Sequence, residues 1–198
     1  GSSSAFTVGL IHSLNALNGK MCSKNELTRE AIHIEQNLIK ENVGSQDQAF
    51  AAYGGFNIIE FLQNGEISVK PIIMPQNRLT EFQDNIMLFF TGISRTASEV
   101  AEEQIKNTTI NIPNLNKMKD LVDDAYQILI DTNKELNEFG ELLNYTWGLK
   151  KSLSSKVSNT EIDEMYIKAL GAGAIGGKLL GAGGGGFMAF YVEKNNQQ

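Results

Sequence analysis

Gly176-Gly-Lys-Leu-Leu-Gly-Ala-Gly-Gly-Gly-Gly-Phe-Met-Ala-Phe-Tyr-Val192 is the stretch whose reading decides the fold. Two apolar runs, Lys178 to Leu180 and Phe187 to Val192, flank Ala182-Gly183-Gly184-Gly185-Gly186, and the order reads as strand, glycine loop, strand. Glycine loses more backbone freedom on folding than any other residue, so a run of four needs a reason. A loop without Cβ atoms can turn backbone N–H groups toward an anion, making a nest for phosphate or a phosphorylated substrate. A flexible hairpin turn is the other reading. No G-x-x-x-x-G-K-[ST] occurs, and no G-x-G-x-x-G opens a helix after a strand, which sets aside the common nucleotide loops.

Working back from the glycine loop, Thr160 caps a helix with Ile162, Met165, Tyr166 and Ala169 inward and Gly171 as its stop. Met118, Leu121, Ala125, Ile128, Thr132 and Leu136 predict a long helix that bends near Gly140 and continues or restarts through Leu149. Asn107 to Asn114, with Pro113, reads as a loop, and Ile86 to Phe90 as a buried strand. Thr91-Gly-Ile-Ser-Arg95 then leads into a helix through about Lys106. Beyond Val192, Asn195 to Gln198 reads as a frayed end.

Upstream, Phe56 to Leu62, the Asn64-Gly65 turn and Ile67 to Val69 predict a β-hairpin. Asp47 is placed in a loop just ahead of it, where an isolated aspartate is more often a turn residue than a catalyst. Ser23-Lys-Asn-Glu26 is a capping box, opening a helix whose core face is Leu27, Ala31, Ile34 and Leu38, with Glu35 at the edge of that face. The first helix starts almost at residue 1, with Phe6, Leu10, Leu14 and Leu17 on its expected core face. Ser2, Ser3 and Ser4 fall at its N-terminus, where the dipole and unpaired N–H groups favour an anion, although an ordinary N-cap reads the same way.

The 198 residues suffice for one sizeable core or two small ones. A formal charge of −6 without a basic run argues against nucleic acid as a partner. The single Cys22 permits no internal disulfide and suits a reducing compartment. No apolar stretch approaches the ~18 residues of a membrane span, and the expectation is a cytoplasmic protein without a membrane partner. Alternating strands and helices make the chain α+β, in two layers.

Taken together these residues resemble the GHMP kinase superfamily. Gly1-Ser2-Ser3-Ser4-Ala5 looks like the end of that family's second motif, the glycine-serine loop that wraps the ATP phosphates. Lys178 to Phe187 looks like its third motif. Glu35 and Asp47, twelve positions apart, are similar in spacing to its magnesium-binding glutamate and catalytic aspartate. Ser45-Gln-Asp-Gln48, Tyr53-Gly-Gly-Phe-Asn57, Thr91 to Arg95 and Trp147-Gly-Leu-Lys-Lys-Ser-Leu-Ser-Ser155 carry a finer likeness to the sugar-1-kinase branch acting on a heptose 7-phosphate.

The resemblance implies a fold and a set of roles. Residues 1–80 would be the end of a nucleotide-binding N-terminal domain of the ribosomal-protein type, and residues 81–198 a ferredoxin-like C-terminal domain. ATP and Mg²⁺ would be the cofactors and a sugar phosphate the substrate. Gly1, Ser2, Ser3 and Ser4 would contact the ATP phosphates, Ser3 and Glu35 the metal, and Asp47 would be the catalytic base. Arg95, Lys150 and Lys151 would read the substrate's phosphate, and Gly183, Gly184, Gly185 and Gly186 would close over the sugar and transferring group. The family's first motif is not in this sequence, so a fragment inactive by itself is expected. Two other readings stay open: a kinase of this superfamily for fucose or a mannose-type sugar, and a non-catalytic binding protein of the same fold.

Overall fold

The computed structural model describes residues 2–93 and 97–197. They form two compact units, residues 1–72 and 73–198, so the division falls earlier than the expected 80/81 boundary. The reason is α4 (Gln76–Asp84), whose Phe82 stacks edge-on against Phe139 at 4.9 Å inside the second unit. The chain is α+β as expected, and among the described residues no helix is long and apolar enough to cross a membrane.

The first unit packs three helices, α1 (Ser2–Leu17), α2 (Lys24–Ile32, continued by a π-helical turn His33–Leu38) and α3 (Gln46–Tyr53), followed by the predicted hairpin β1 (Asn57–Phe61) and β2 (Ile67–Pro71). Its core is Val8, Ile11, Leu27 and Ala31. This corrects the expected face of α1: Ser4, Val8 and Ile11 are buried, while Phe6 and Leu17 are 70% and 83% exposed, with Leu10 and Leu14 also exposed. Both stripes have helical spacing, and the one that carries Ser4 is the one turned to α2 and α3. The capping box forms as read, with the Ser23 side chain accepting from the Glu26 amide and the Glu26 carboxylate accepting from the Ser23 amide at 2.7 Å.

In the second unit β3 (Ile86–Phe90), β4 (Ala174–Leu179) and β5 (Phe187–Val192) make an antiparallel sheet in the order β3-β5-β4. Registers Phe89↔Met188 and Lys178↔Ala189 fix it. As an edge strand, β3 leaves Leu88, Phe89 and Phe90 exposed, against the expectation of a buried strand. Helices α5 (Ala97–Lys106), α6 (Thr108–Ile130), α7 (Asn137–Lys151) and α8 (Thr160–Gly171) complete the unit. The core joins Trp147, Val157, Ile162, Tyr166, Leu179, Met188 and Phe190.

Three local readings change here. Pro113 lies inside α6, so 107–114 is not a loop, and Asn159 rather than Thr160 caps α8 by accepting from the Ile162 amide. The long helix breaks between Ile130 and Asn137 instead of bending at Gly140. Buried Arg78 holds that break, donating from Nε to the Leu129 carbonyl at 2.9 Å and from Nη2 to those of Ile128 and Lys134. The C-terminal end is also tied down, because Gln197 Nε2 donates to the carbonyls of Asp84 and Val192.

The α1 assignment sets a stability contrast. Ile11→Ala should cost about 2–5 kcal/mol in urea unfolding, as for a buried aliphatic truncation, and Phe6→Gln about 0.5 kcal/mol or less. Equal losses at the two positions would place the core on the other stripe.

Candidate active site

In the first unit the chemistry gathers around Glu35. The π-helical turn, marked by the Ile39 amide donating to the Ile34 carbonyl at 2.8 Å, widens the helix. Leu38 rotates out to 65% exposure and Glu35 takes the inward place, 2% exposed. The carboxylate was expected only at the edge of the face; it is in the interior. Its Oε2 accepts from Ser4 Oγ at 2.9 Å and from Gln48 Nε2. Glu35 Oε1 and Gln48 Oε1 are buried with no hydrogen-bond partner among the described residues. A buried carboxylate oxygen left without a donor is costly unless a cation or water meets it. Carboxylate, hydroxyl and amide oxygens are the set a hard divalent cation takes. Among the described residues no group of three His, Cys, Asp or Glu gathers, so such a cation would keep other oxygens as ligands.

Serine 4, not Ser3, is therefore the serine that reaches Glu35; Ser2 and Ser3 are exposed on the first turn of α1, and Gly1 lies outside the described residues. Asp47 is not in a loop. It is exposed in the first turn of α3, where a carboxylate complements the helix dipole. Gln36 Nε2 sets the entry to that helix by donating to the Val43 carbonyl and to Ser45 Oγ. Asp47 and the buried Gln48 are thus neighbours on one short helix, one side chain at solvent and the other on Glu35.

In the second unit the hairpin turn after β4 is closely held. The Gly184 amide donates to the Val157 carbonyl at 2.9 Å and the Gly186 amide to that of Ile93 at 3.0 Å. A Cβ on Gly183, at φ +122°, would lie 2.9 Å from Val157 Cα, and one on Gly185 would lie 2.5 Å from the Ile93 carbonyl oxygen. Gly183 and Gly185 are therefore required by close approach, and the loop is not a free nest with every amide available.

The lysines separate. Lys150 is buried, and its Nζ donates to the carbonyls of Leu179 at 2.7 Å and Gly181 at 2.6 Å, so it does not present its charge to a substrate. Burial, with a smaller contribution from the nearby Lys178 charge, pushes Lys150 down to about 7; burial also lowers Lys178. Lys151 is partly exposed, pairs with Asp163 at 3.1 Å and lies 5.7 Å from the Trp147 ring centre. Arg95 lies outside the described residues.

Sequence reasoning missed Gln48 and the structural use of Lys150. The signal for Gln48 was its place beside Asp47, but a glutamine in a polar run carries no burial signature. For Lys150 no such signal existed, because its partners are backbone carbonyls.

A helix-opening serine set, a buried carboxylate and a glycine hairpin thus follow one another in the chain order that the sequence resemblance implies. The chain belongs to the GHMP kinases: residues 1–55 match their N-terminal domain and residues 110–198 their C-terminal domain. It is 32% identical to a D-glycero-alpha-D-manno-heptose 7-phosphate kinase of Campylobacter jejuni, over 98% of this chain and 57% of that protein. It is 31% identical to a mevalonate kinase of Pyrococcus horikoshii, over 95% of this chain and 54% of the other. Among solved structures it superposes on a D-glycero-D-manno-heptose 1-phosphate kinase of Bacteroides thetaiotaomicron with a TM-score of 0.74 and 28% identity, over 98% of this chain and 53% of that one. The chain thus spans just over half the length of these relatives.

The Lys150 environment gives a signed pH dependence. Its folded-state value, about 7, lies below the ordinary 10.5, so between those values the unfolded chain binds more protons and stability rises with pH. Unfolding midpoints of the second unit should climb from pH 7 toward pH 10 and the slope should flatten in Lys150→Met, with Lys178 leaving a remainder. An unchanged slope in the variant would assign the rise to other groups.

Proposed function

We propose that this chain is part of an ATP-dependent kinase that phosphorylates the anomeric hydroxyl of a heptose 7-phosphate to the 1,7-bisphosphate, supplying an activated heptose for surface polysaccharide. The observation that carries the reading is the Ser4–Glu35–Gln48 cluster one residue from Asp47. The likeness to a heptose 7-phosphate kinase along nearly the whole chain supports the choice of sugar. Ser2 and Ser3, at the N-terminus of α1, would contact the ATP phosphates, where backbone N–H groups and the dipole favour an anion. Ser4 and Glu35 would hold Mg²⁺, through the Glu35 oxygen that has no donor. Bound there, the ion would neutralise charge on the nucleotide phosphates. The glycine loop would lie against the transferring group, through the amides that the scaffold leaves unused.

Phosphoryl transfer asks the protein mainly for positioning and charge neutralisation. Asp47 orients the sugar's anomeric hydroxyl and takes its proton as the new O–P bond forms; the bond to the leaving oxygen breaks with its electron pair staying on ADP. A positioned base of this kind contributes about 10²–10⁴-fold. Mevalonate kinases and an L-fucokinase enzyme of Bacteroides fragilis, at 30% identity, are also relatives, which keeps another GHMP substrate as the second reading.

In a kinase that carries this chain at its relatives' full length, transfer followed by ³¹P NMR should give a sugar 1,7-bisphosphate only from the phosphorylated heptose. Asp47→Asn should lower kcat about 10²-fold or more with ATP binding kept, and Glu35→Gln should chiefly raise the Mg²⁺ requirement. Near-normal kcat in Asp47→Asn would make that residue a substrate-positioning group.

Arg95 is the proposed reader of the distal phosphate, since its planar fork can hold two phosphate oxygens. Arg95→Ala should raise KM for the phosphorylated sugar about tenfold to a hundredfold, the range for hydrogen bonds to charged groups, with KM for ATP unmoved. Equal losses for phosphorylated and unphosphorylated sugars would show that Arg95 does not read that phosphate.

A further inference from the structure

A loop that receives a phosphoryl anion must present donors and hide acceptors, because a carbonyl oxygen aimed at phosphate repels it. The flanks of the hairpin turn meet this condition through their scaffold, whereas the carbonyls of Gly183, Gly184 and Gly185 have no donor among the described residues. The Ala182 carbonyl accepts from Gln104 Nε2 at 2.9 Å, and the Gly186 carbonyl accepts from the Thr91 amide at 2.8 Å and from Thr91 Oγ1 at 2.9 Å. Leu179 and Gly181 direct their carbonyls to one atom, Lys150 Nζ. The amides of Gly184 and Gly186 are spent on Val157 and Ile93, which leaves those of Gly183, itself buried against Val157, and of half-buried Gly185 with no acceptor among the described residues.

We propose that Lys150 is the positioning residue of the glycine loop: its buried Nζ turns the carbonyls of Leu179 and Gly181 inward and leaves the Gly183 and Gly185 amides to take a phosphoryl anion. This rests on the reading of the loop as a phosphoryl-binding element. Lys150 comes from the last turn of α7, a rigid helix packed on β4, so the loop's entry is referenced to the sheet rather than to its own flexible glycines. Two carbonyls are the partners, and a neutral amine still has two N–H groups, so the fastening survives loss of the third proton. Among the described residues no carboxylate pairs with Lys150, so the two carbonyls are what its Nζ fastens.

The test is amide exchange and ¹H–¹⁵N NMR on this chain, with inorganic pyrophosphate as the probe. In wild type the Gly184 and Gly186 amides should be protected, and pyrophosphate should shift Gly183 and Gly185. In Lys150→Met, protection of Gly184 and Gly186 should fall at least tenfold while Met188 and Phe190 on β5 keep theirs, and the pyrophosphate shifts should weaken. Unchanged loop protection in Lys150→Met overturns the assignment of Lys150, whether or not pyrophosphate binds. Loss of protection in the variant with no pyrophosphate response in wild type leaves Lys150 as the loop's fastening and removes the phosphoryl reading. Because a buried methionine there can unfold the unit, a wild-type measurement stands beside it: Lys150 Nζ should show scalar couplings across its hydrogen bonds to the carbonyl carbons of Leu179 and Gly181. Rapidly exchanging Nζ protons without such couplings would overturn the proposal.

Discussion

The second unit depends on one close approach: α7 comes down on β4 where Gly140 faces Gly176. A Cβ on Gly176 would collide with the Gly140 carbonyl oxygen, and one on Gly140 would stand 2.9 Å from the Ile175 side chain. Glycine is needed on both elements for this approach, and a helix that close is fixed in height and rotation above the strand. Ten residues beyond Gly140, on the last turn of the same helix, Lys150 then reaches the carbonyls that close β4. Trp147, one turn before, fills the core against Tyr166, with ring centres 6.1 Å apart. The glycines that look least informative along the chain are thus the ones that aim the lysine.

A comparable constraint shapes the first unit. One extra residue in the turn of His33–Leu38 changes which side chain points inward, so a carboxylate replaces an aliphatic residue in the interior. The unit accepts a buried polar group because Ser4, from the start of α1, and Gln48, from α3, converge on the same carboxylate oxygen. All three helices are therefore tied at one polar point as well as through the Val8, Ile11, Leu27 and Ala31 core.

Much of this was legible in the sequence. The capping box, the Asn64-Gly65 hairpin and the glycine hairpin have local causes, and local causes can be read from neighbours in the chain. What could not be read has non-local causes. The two apolar stripes of α1 have the same period, and only packing on α2 and α3 chooses between them. An α-helical wheel places Leu38 inward and Glu35 at the edge, and the π-helical turn that reverses them leaves no mark in residue type. Pro113 reads as a breaker, yet α6 continues through it. The family motifs pointed to candidate residues, but not to which serine meets Glu35 or which lysine is spent on backbone, since both are settled by three-dimensional reach.

What remains in each unit is a buried polar group that is only partly matched. Glu35 offers a buried oxygen with no donor, and Lys150 a buried nitrogen whose partners are only carbonyls. Folding gains nothing from leaving either so, because a buried ion is stabilised only by a paired charge or by full hydrogen bonding. The cost at each position is offset in part by what the group fastens: Glu35 draws Ser4 and Gln48 onto one oxygen, and Lys150 ties the last turn of α7 to the carbonyls at the end of β4.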